Sequence, residues 1–324
     1  MTRFLLFFVC YLYTLPIQAK PAGSRTASGQ HPLTLICTRG LSHYIGDLSG
    51  AQSLSLVNTA QLKQRTYFTG IGVSFSLRKG VNLQFSYTSG RLAASDQDAY
   101  SSQQFSAQQK RNLDFQTTIR ESAASLLLYP FRELPSRMHV DKKKWQPYFQ
   151  AGIGRYRFNP QGSVYDIVSA DHVWVDLQPL HTEGQGMQEY PNRKPYSLKQ
   201  WNFIYGAGIQ YQVLPRVSLA MEWIGRKLFT DYLDDVSTTY INPHLFQKYL
   251  GPDEAVLAAQ MSNKSILVTP NHPYQSGDKR GNSCQSDFYY SANLKLMLQL
   301  GSRKKPKAPL HYDFFKYDNL EICE

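Results

Sequence analysis

Between Arg226 and Pro243 the chain reads RKLFTDYLDDVSTTYINP, which sets three carboxylates, Asp231, Asp234 and Asp235, between Tyr232 and Tyr240. Carboxylates this close could share a proton as general acid and base, or hold a cation. Acid–base or nucleophilic chemistry needs a matched partner in reach, and the eight histidines are scattered through different segments with no spacing that makes them converge. A calcium site lacks the ligand pattern of an EF-hand loop. What remains is structural: carboxylates at a hydrated rim, accepting hydrogen bonds from loop backbone. No catalytic residue, metal ligand or cofactor is assigned.

The element that carries the run decides its meaning. From Trp201 to Val213 the odd positions are Trp201, Phe203, Tyr205, Ala207, Ile209, Tyr211 and Val213, whereas the even positions include Asn202, Gly206, Gly208, Gln210 and Gln212. Successive strand side chains point to opposite faces, so one face is apolar and the other small or amide. The same alternation runs through Tyr67 to Leu77 and through Phe288 to Leu300. A soluble sandwich would show it in strands of about 5–6 residues. Here the runs reach roughly 10–13 residues and carry aromatics near their ends, the pattern of a transmembrane β-barrel with lipid outside and a polar lumen.

Eight strands are expected, at 33–43, 66–78, 81–91, 112–129, 147–158, 200–213, 217–229 and 287–300. An even number suits a closed antiparallel barrel, and the connections alternate as such a barrel requires. RKG at 78–80 and LPR at 214–216 are short and 130–146 is moderate, while 44–65, 92–111, 159–199 and 230–286 are long. The fold class is therefore all-β: an eight-stranded antiparallel transmembrane barrel with short periplasmic turns and long extracellular loops. The fourth strand carries Arg120 beside Glu121 on opposite faces, which predicts a bulge or register change and sends one charge to the lumen or rim.

Compartment follows from the N-terminus. MTRFLLFFVCYLYTLPIQA has one charge, Arg3, an apolar run and a small residue, the order of a secretory signal peptide cleaved after Ala19. The run is too short to span a bilayer as a helix. The organisation expected is a signal peptide at 1–19, an outer-membrane barrel at 20–300 and a basic periplasmic tail at 301–324. Cleavage removes Cys10 and leaves Cys37, Cys284 and Cys323, an odd set with neither disulfide-framework nor zinc spacing.

The formal net charge of +11 comes with no aromatic-plus-basic module for nucleic acid. The cations gather at RKG (78–80), DKKKW (141–145) and RKKPK (303–307), all on the periplasmic side of the strand count. Lys142, Lys143, Lys144, Arg303, Lys304 and Lys305 are thus either solvated turns beside anionic lipid or a docking surface for an acidic partner. An eight-stranded barrel is filled by its own side chains. Glu222, Arg226 and Lys295 have inward parity, and Glu222 is expected to pair with Lys295 or Arg226, since a buried charge needs a partner.

The segments GLSHYIGDLSG, QKRNLDF, PYFQAGIGRYRFNP, WVDLQPLHTEGQGM, RKLFTDYLDDVSTTYINP and KRGN together resemble, in order, the PorG-type outer-membrane barrel family of the Bacteroidetes type IX secretion system. The similarity runs through nearly the whole chain after the signal peptide, and LDDVSTTY and LHTEGQG are its most specific parts. It implies a non-enzymatic component that anchors or organises, at the outer membrane, a periplasmic ring made of a lipoprotein and its periplasmic partner. It also implies that Asp231, Tyr232, Asp234, Asp235 and Glu183 form a rim motif fixing the seventh strand to a long loop. His181 stands where the family pattern leads one to expect a glycine or similar residue, and the tail after Leu300 is longer and more basic than the family minimum. The competing class is a barrel outside any secretion machine, acting as an adhesin or surface hydrolase.

Overall fold

The structure, a computed structural model, describes residues 33–48, 66–98, 106–132, 144–166 and 170–300. Eight strands close into an antiparallel barrel: β1 (Leu33–Ile45), β2 (Thr66–Arg78), β3 (Val81–Ser95), β4 (Asp114–Leu128), β5 (Trp145–Arg157), β8 (Lys199–Leu214), β9 (Val217–Leu228) and β10 (Phe288–Leu300). Between β5 and β8 a hairpin, β6 (Pro160–Asp166) and β7 (Asp171–Asp176), continues the sheet outward: Gln116 and Thr117 of β4 pair with β6 beyond the end of β5. Among the described residues, three α-helices lie in the long connections: α1 (Ala107–Arg111), α2 (His244–Tyr249) and α3 (Pro252–Ser262).

Register sets the shape. Cross-strand partners lead from Leu33 through Phe75, Leu83, Leu126, Ala151, Tyr205, Gly225 and Tyr290 back to β1 at His43, ten residues farther along. A row of partners therefore climbs as it circles, which requires strands tilted by about 35–45° to the barrel axis. Outward positions such as Ile71, Phe85, Ile153, Met221 and Leu294 are apolar and exposed. Inward positions alternate large with small. Gly208, for example, leaves space for the phenol of Tyr148, whose ring would lie 2.5 Å from a Cβ placed there.

β4 runs without a bulge, in unbroken register with β3 and, from Arg120 inward, with β5. The expected irregularity is absent because plain alternation accommodates both charges: Glu121 points into the lumen and is buried, and Arg120 points out and is exposed. The register shifts fall instead at Ser76/Arg78 and Gln212/Leu214, beside the two tight turns. In the first of these, Gly80 takes a φ of 79°, which a residue with a Cβ rarely adopts. Cys37 and Cys284 are free thiols. The segment 1–19 expected to be a signal peptide, Cys323, Lys142, Lys143, Arg303, Lys304 and Lys305 lie outside the described residues.

Candidate functional site

The bore of the barrel is built in polar layers over an apolar floor. At the floor, Ile36, Leu127, Tyr129, Tyr148, Ala220 and Met297 pack together, and the Arg132 guanidinium lies 3.7 Å from the centre of the Tyr129 ring. Above it Lys295 pairs with Glu222 at 2.6 Å, and Glu222 also accepts from Tyr148 Oη and Asn293 Nδ2. The next layer joins Arg226 to Glu121 at 3.0 Å, with Asn202 and Tyr289 donating to the same carboxylate and Arg226 donating to Ser291. Glu222, Arg226 and Lys295 are thus all inward and paired. Lys295 is the partner of Glu222, while Arg226 takes Glu121, the residue that parity alone left undecided. Each charge is buried, so each ion pair offsets a desolvation cost that neither member could bear alone.

Beyond the bore the outer segments fold into a cap. Its apolar part is made by Leu177, Leu180, Met187, Ile241, Phe246, Ala255, Ala258 and Met261, which bind β7's exit, α2 and α3 together. Between cap and bore, Tyr44, Phe68, Phe115, Ile119, Tyr156, Phe158, Tyr196, Leu228, Leu233, Val236 and Tyr289 form a second apolar layer.

Asp234 and Asp235 sit at this junction and are buried, with exposures of 1 % and 0 %. The hydrated rim expected for them is corrected here: once the loops fold over the barrel mouth, water is replaced by fixed donors. Asp234 accepts from Val236 N at 3.0 Å, Leu48 N at 3.3 Å and Tyr44 Oη at 2.8 Å. The Tyr44 oxygen also lies 2.5 Å from Asp287, which accepts from Leu233 N through its other oxygen. One hydroxyl proton cannot serve two carboxylates, so one of the acids carries a proton and donates it to the phenol oxygen. Burial, together with each other's charge, holds Asp234 well above the usual carboxylate range, and burial pushes Asp287 to about 7.

Asp235 takes a left-handed backbone, φ 63°, and accepts from Thr182 Oγ1 and, at 2.6 Å, from Tyr196 Oη. Burial raises it to about 6, against the pull of Arg280. Glu183, fully buried, receives Ser237 N and Thr238 N at 2.9 Å each, Thr238 Oγ1 at 2.6 Å and Arg280 Nη1 at 2.9 Å. Arg280 further donates to the carbonyls of Ser262 and Asp235. Arg111 grips Asp96 through two nitrogens and donates to the carbonyls of Asp47 and Arg280. Tyr232 is half-buried and stacks on Tyr196 with ring centres 4.8 Å apart. Asp231, also half-buried, is pushed by burial to about 8.

The five residues expected at the rim therefore differ in role: Glu183, Asp234 and Asp235 form the core of one network, Tyr232 packs on its side, and Asp231 joins its edge through a hydrogen bond with Ser237, whose amide donates to Glu183. Arg280, Arg111, Asp96, Asp287, Tyr44 and Tyr196 complete the network and were not singled out from the sequence. A signal was present, since Tyr44, Arg111, Glu183, Asp234 and Arg280 each lie in a different one of the segments quoted for the family resemblance. Chemically the site is a lock: every oxygen of Glu183 and Asp235 already accepts from a donor fixed by the fold. Among the described residues, no group of three or more His, Cys, Asp or Glu side chains is arranged to hold a metal ion. His181 adopts φ 50°, a left-handed conformation that suits glycine, the residue type the family pattern leads one to expect there.

At the opposite end of the barrel, Arg78, Lys79, Lys144 and Arg216 are exposed. The sequence matches no protein-family model and no curated protein. Among solved structures it is similar to Neisserial surface protein A, with 7% identity over 83% of this chain and 97% of that one and a TM-score of 0.37. Similar too is a major outer membrane protein from Thermus thermophilus, with 10% identity over 83% of this chain and 100% of that one and a TM-score of 0.37. The attachment invasion locus protein Ail of Yersinia pestis is matched with 7% identity over 84% of this chain and 99% of that one, at a TM-score of 0.34. With scores this low, the fold assignment rests on the strand register itself.

Proposed function

We propose that the chain is a non-enzymatic outer-membrane barrel that acts through its two ends, and that it anchors or organises the periplasmic ring of a type IX secretion system. The observation that carries this reading is the filled bore: two stacked ion pairs and an aromatic floor occupy the space a conduit would need. The apolar outer surface supports placement in a bilayer, and export through the N-terminal signal fits an outer membrane. The cations of the short-turn end, Arg78, Lys79, Lys144 and Arg216, together with Lys142, Lys143, Arg303, Lys304 and Lys305, suit docking to an acidic face of the ring lipoprotein or its periplasmic partner. The family resemblance supports the same function, because its quoted segments supply the residues that lock the cap.

The test is co-purification of the tagged full chain from its native membrane. The ring lipoprotein is expected with the wild type and is expected to be lost, with secretion reduced, when Lys142, Lys143 and Lys144 are changed to Glu and residues 301–324 are removed. Undiminished recovery of the same periplasmic proteins by this variant would overturn the docking role. One observation favours the adhesin alternative: β7 is the last strand of the sheet order, and Tyr165, Val173 and Trp174 are exposed on this outer hairpin. Binding of the wild type to a host surface, lost on removing the hairpin while secretion is unchanged, would decide for it.

A further inference from the structure

The lipid-facing side of the barrel is not uniform. Outward positions on four adjacent strands carry Arg91 (β3), Arg120 (β4), Arg155 and Arg157 (β5) and Lys199 (β8), all exposed. They are close neighbours by register: Arg120 faces Arg157, Arg157 faces Lys199, Arg155 faces Ser122 on one side and Trp201 on the other, and Arg91 faces Thr118. Like charges directly opposite on neighbouring strands destabilise a sheet. Nothing in the described protein neutralises them: none of the five is in an ion pair with a described residue. The outward faces of the eight barrel strands carry no carboxylate except Asp114, six residues farther out than Arg120 and engaged by Lys264.

Height fixes what the patch meets. Because rows of partners climb around the barrel, the level of Arg120 passes through Arg91 and Tyr67 on one side and through Arg155 and Trp201 on the other. Arg157 and Lys199 lie one step farther out. Tyr67 and Trp201 are exposed aromatics, and the Arg155 guanidinium lies 5.7 Å from the Trp201 ring centre. Aromatic rings at one level mark the boundary between hydrocarbon and headgroups. Below that level the outward residues are first Ser89 and Ser122 and then Phe85, Tyr87, Ala124, Ile153 and Phe203. An arginine on the lipid face is costly at the bilayer midplane and close to neutral at the interface. The cluster is therefore placed where headgroups begin, at the end bearing the long loops. On the far side, β9, β10 and β1 present Trp223, Tyr290, Leu294 and Leu41 over the same reach, with Lys227 the lone cation at this level. Arg39 of β1 starts lower and turns to Tyr67, its guanidinium 5.3 Å from the ring centre.

We propose that the outward face of β3, β4, β5 and β8 is a binding site for a phosphorylated glycolipid of the outer leaflet, with Arg91, Arg120, Arg155, Arg157 and Lys199 holding its phosphates. Guanidinium groups bind phosphate bidentately. Strands lie about 4.8 Å apart, so the patch spans about 14 Å from β3 to β8, enough for phosphates at both ends of a disaccharide headgroup. Ser89, Thr118 and Ser122 lie between the cations and leave room for the sugar. The acyl chains would lie along Phe85, Tyr87, Ala124 and Ile153.

This inference rests on the outer-membrane reading, and the experiment separates the two. The full chain is refolded into vesicles of phosphatidylethanolamine doped with diphosphorylated lipid A, with the same lipid A after phosphate removal, or with phosphatidylglycerol. Lipid retained by the extracted barrel is then weighed by native mass spectrometry. The wild type is expected to keep the diphosphorylated form and not the other two. Arg120→Gln with Arg155→Gln and Arg157→Gln is expected to lower retention about tenfold or more, the scale of losing several charge-assisted bonds. Arg78→Gln with Lys79→Gln and Arg216→Gln, the same charge loss at the opposite end, is expected to leave it unchanged. Equal retention by the Arg120 variant, equal retention of dephosphorylated lipid A, or equal retention of phosphatidylglycerol would each overturn the proposal. If that variant does not fold, the three wild-type arms decide alone. A wild-type chain that inserts into none of the vesicles would overturn the outer-membrane reading, and this site with it.

Discussion

Replacing Glu183 by alanine tests whether the cap is locked from one point. The side chain accepts four hydrogen bonds, two from backbone amides of the segment after β9, one from Thr238 and one from Arg280, all without solvent. Removing it strands Arg280 as a buried cation, for which breaking a buried pair costs about 3–5 kcal/mol. The loss falls short of the sum of four bonds, because Arg280 keeps the carbonyls of Ser262 and Asp235 and the carboxylate of Asp235 at 3.9 Å. At about 1.4 kcal/mol per decade, the amides of Ser237 and Thr238 should exchange with solvent roughly two to four decades faster. Amides of the barrel strands should be unaffected, since the Glu222 and Glu121 layers lie below the junction. Hydrogen exchange read by mass spectrometry on the folded barrel measures both. Glu183→Gln should be intermediate, because its amide oxygen still accepts one bond. Unchanged exchange at Ser237 and Thr238 in Glu183→Ala would refute the lock.

Three further outcomes follow from the same geometry. A carboxyl raised by burial favours a protonated folded state, so the unfolded chain binds fewer protons and cap stability falls as pH rises. With Asp235 at about 6 and Asp287 at about 7, protease resistance of the cap should be greatest below about pH 4 and should decline between about pH 4 and 7; a rise over that window would contradict the assignment. Lys295→Met leaves Glu222 buried without its cation and should lower barrel stability by about 3–5 kcal/mol in urea titrations, whereas Lys295→Met with Glu222→Leu should recover most of it. At the left-handed position 181, His181→Gly should be nearly neutral and His181→Val should destabilise the cap by about 1–3 kcal/mol; equal tolerance of both would remove the backbone argument.

The strands were legible because membrane and lumen impose opposite chemistry on alternate residues, so Trp201–Val213 announces its faces with no knowledge of its neighbours. Parity also made Glu222, Arg226 and Lys295 inward. It could not choose partners, because pairing depends on register between strands far apart in the chain, and Glu121 joins Arg226 across 105 positions. The cap was illegible for a stronger form of the same reason. Tyr44 meets Asp287 across 243 positions and Arg111 reaches the Arg280 carbonyl across 169, with no periodicity in the loops to say which of them converge. Asp234 and Asp235 looked like rim groups because, read locally, charged residues after a strand end point to water. Only the folding of the other loops over them reverses that.

The two polar networks differ in their balance of charge, and this decides which part of the molecule responds to its surroundings. In the bore each carboxylate has its own cation, Glu121 with Arg226 and Glu222 with Lys295. At the junction Asp96, Glu183, Asp234, Asp235 and Asp287 are buried around two cations, Arg111 and Arg280. Arg111 is committed to Asp96, and Arg280 to Glu183 and, at 3.9 Å, Asp235, which leaves Asp234 and Asp287 to share the Tyr44 hydroxyl and a proton. The apolar layer of Phe68, Tyr156, Leu228 and Tyr289 separates the two networks. Protons are therefore taken up above that layer, and their loss loosens the outer cap while the barrel beneath it, and the basic end that faces the opposite side, keep their form.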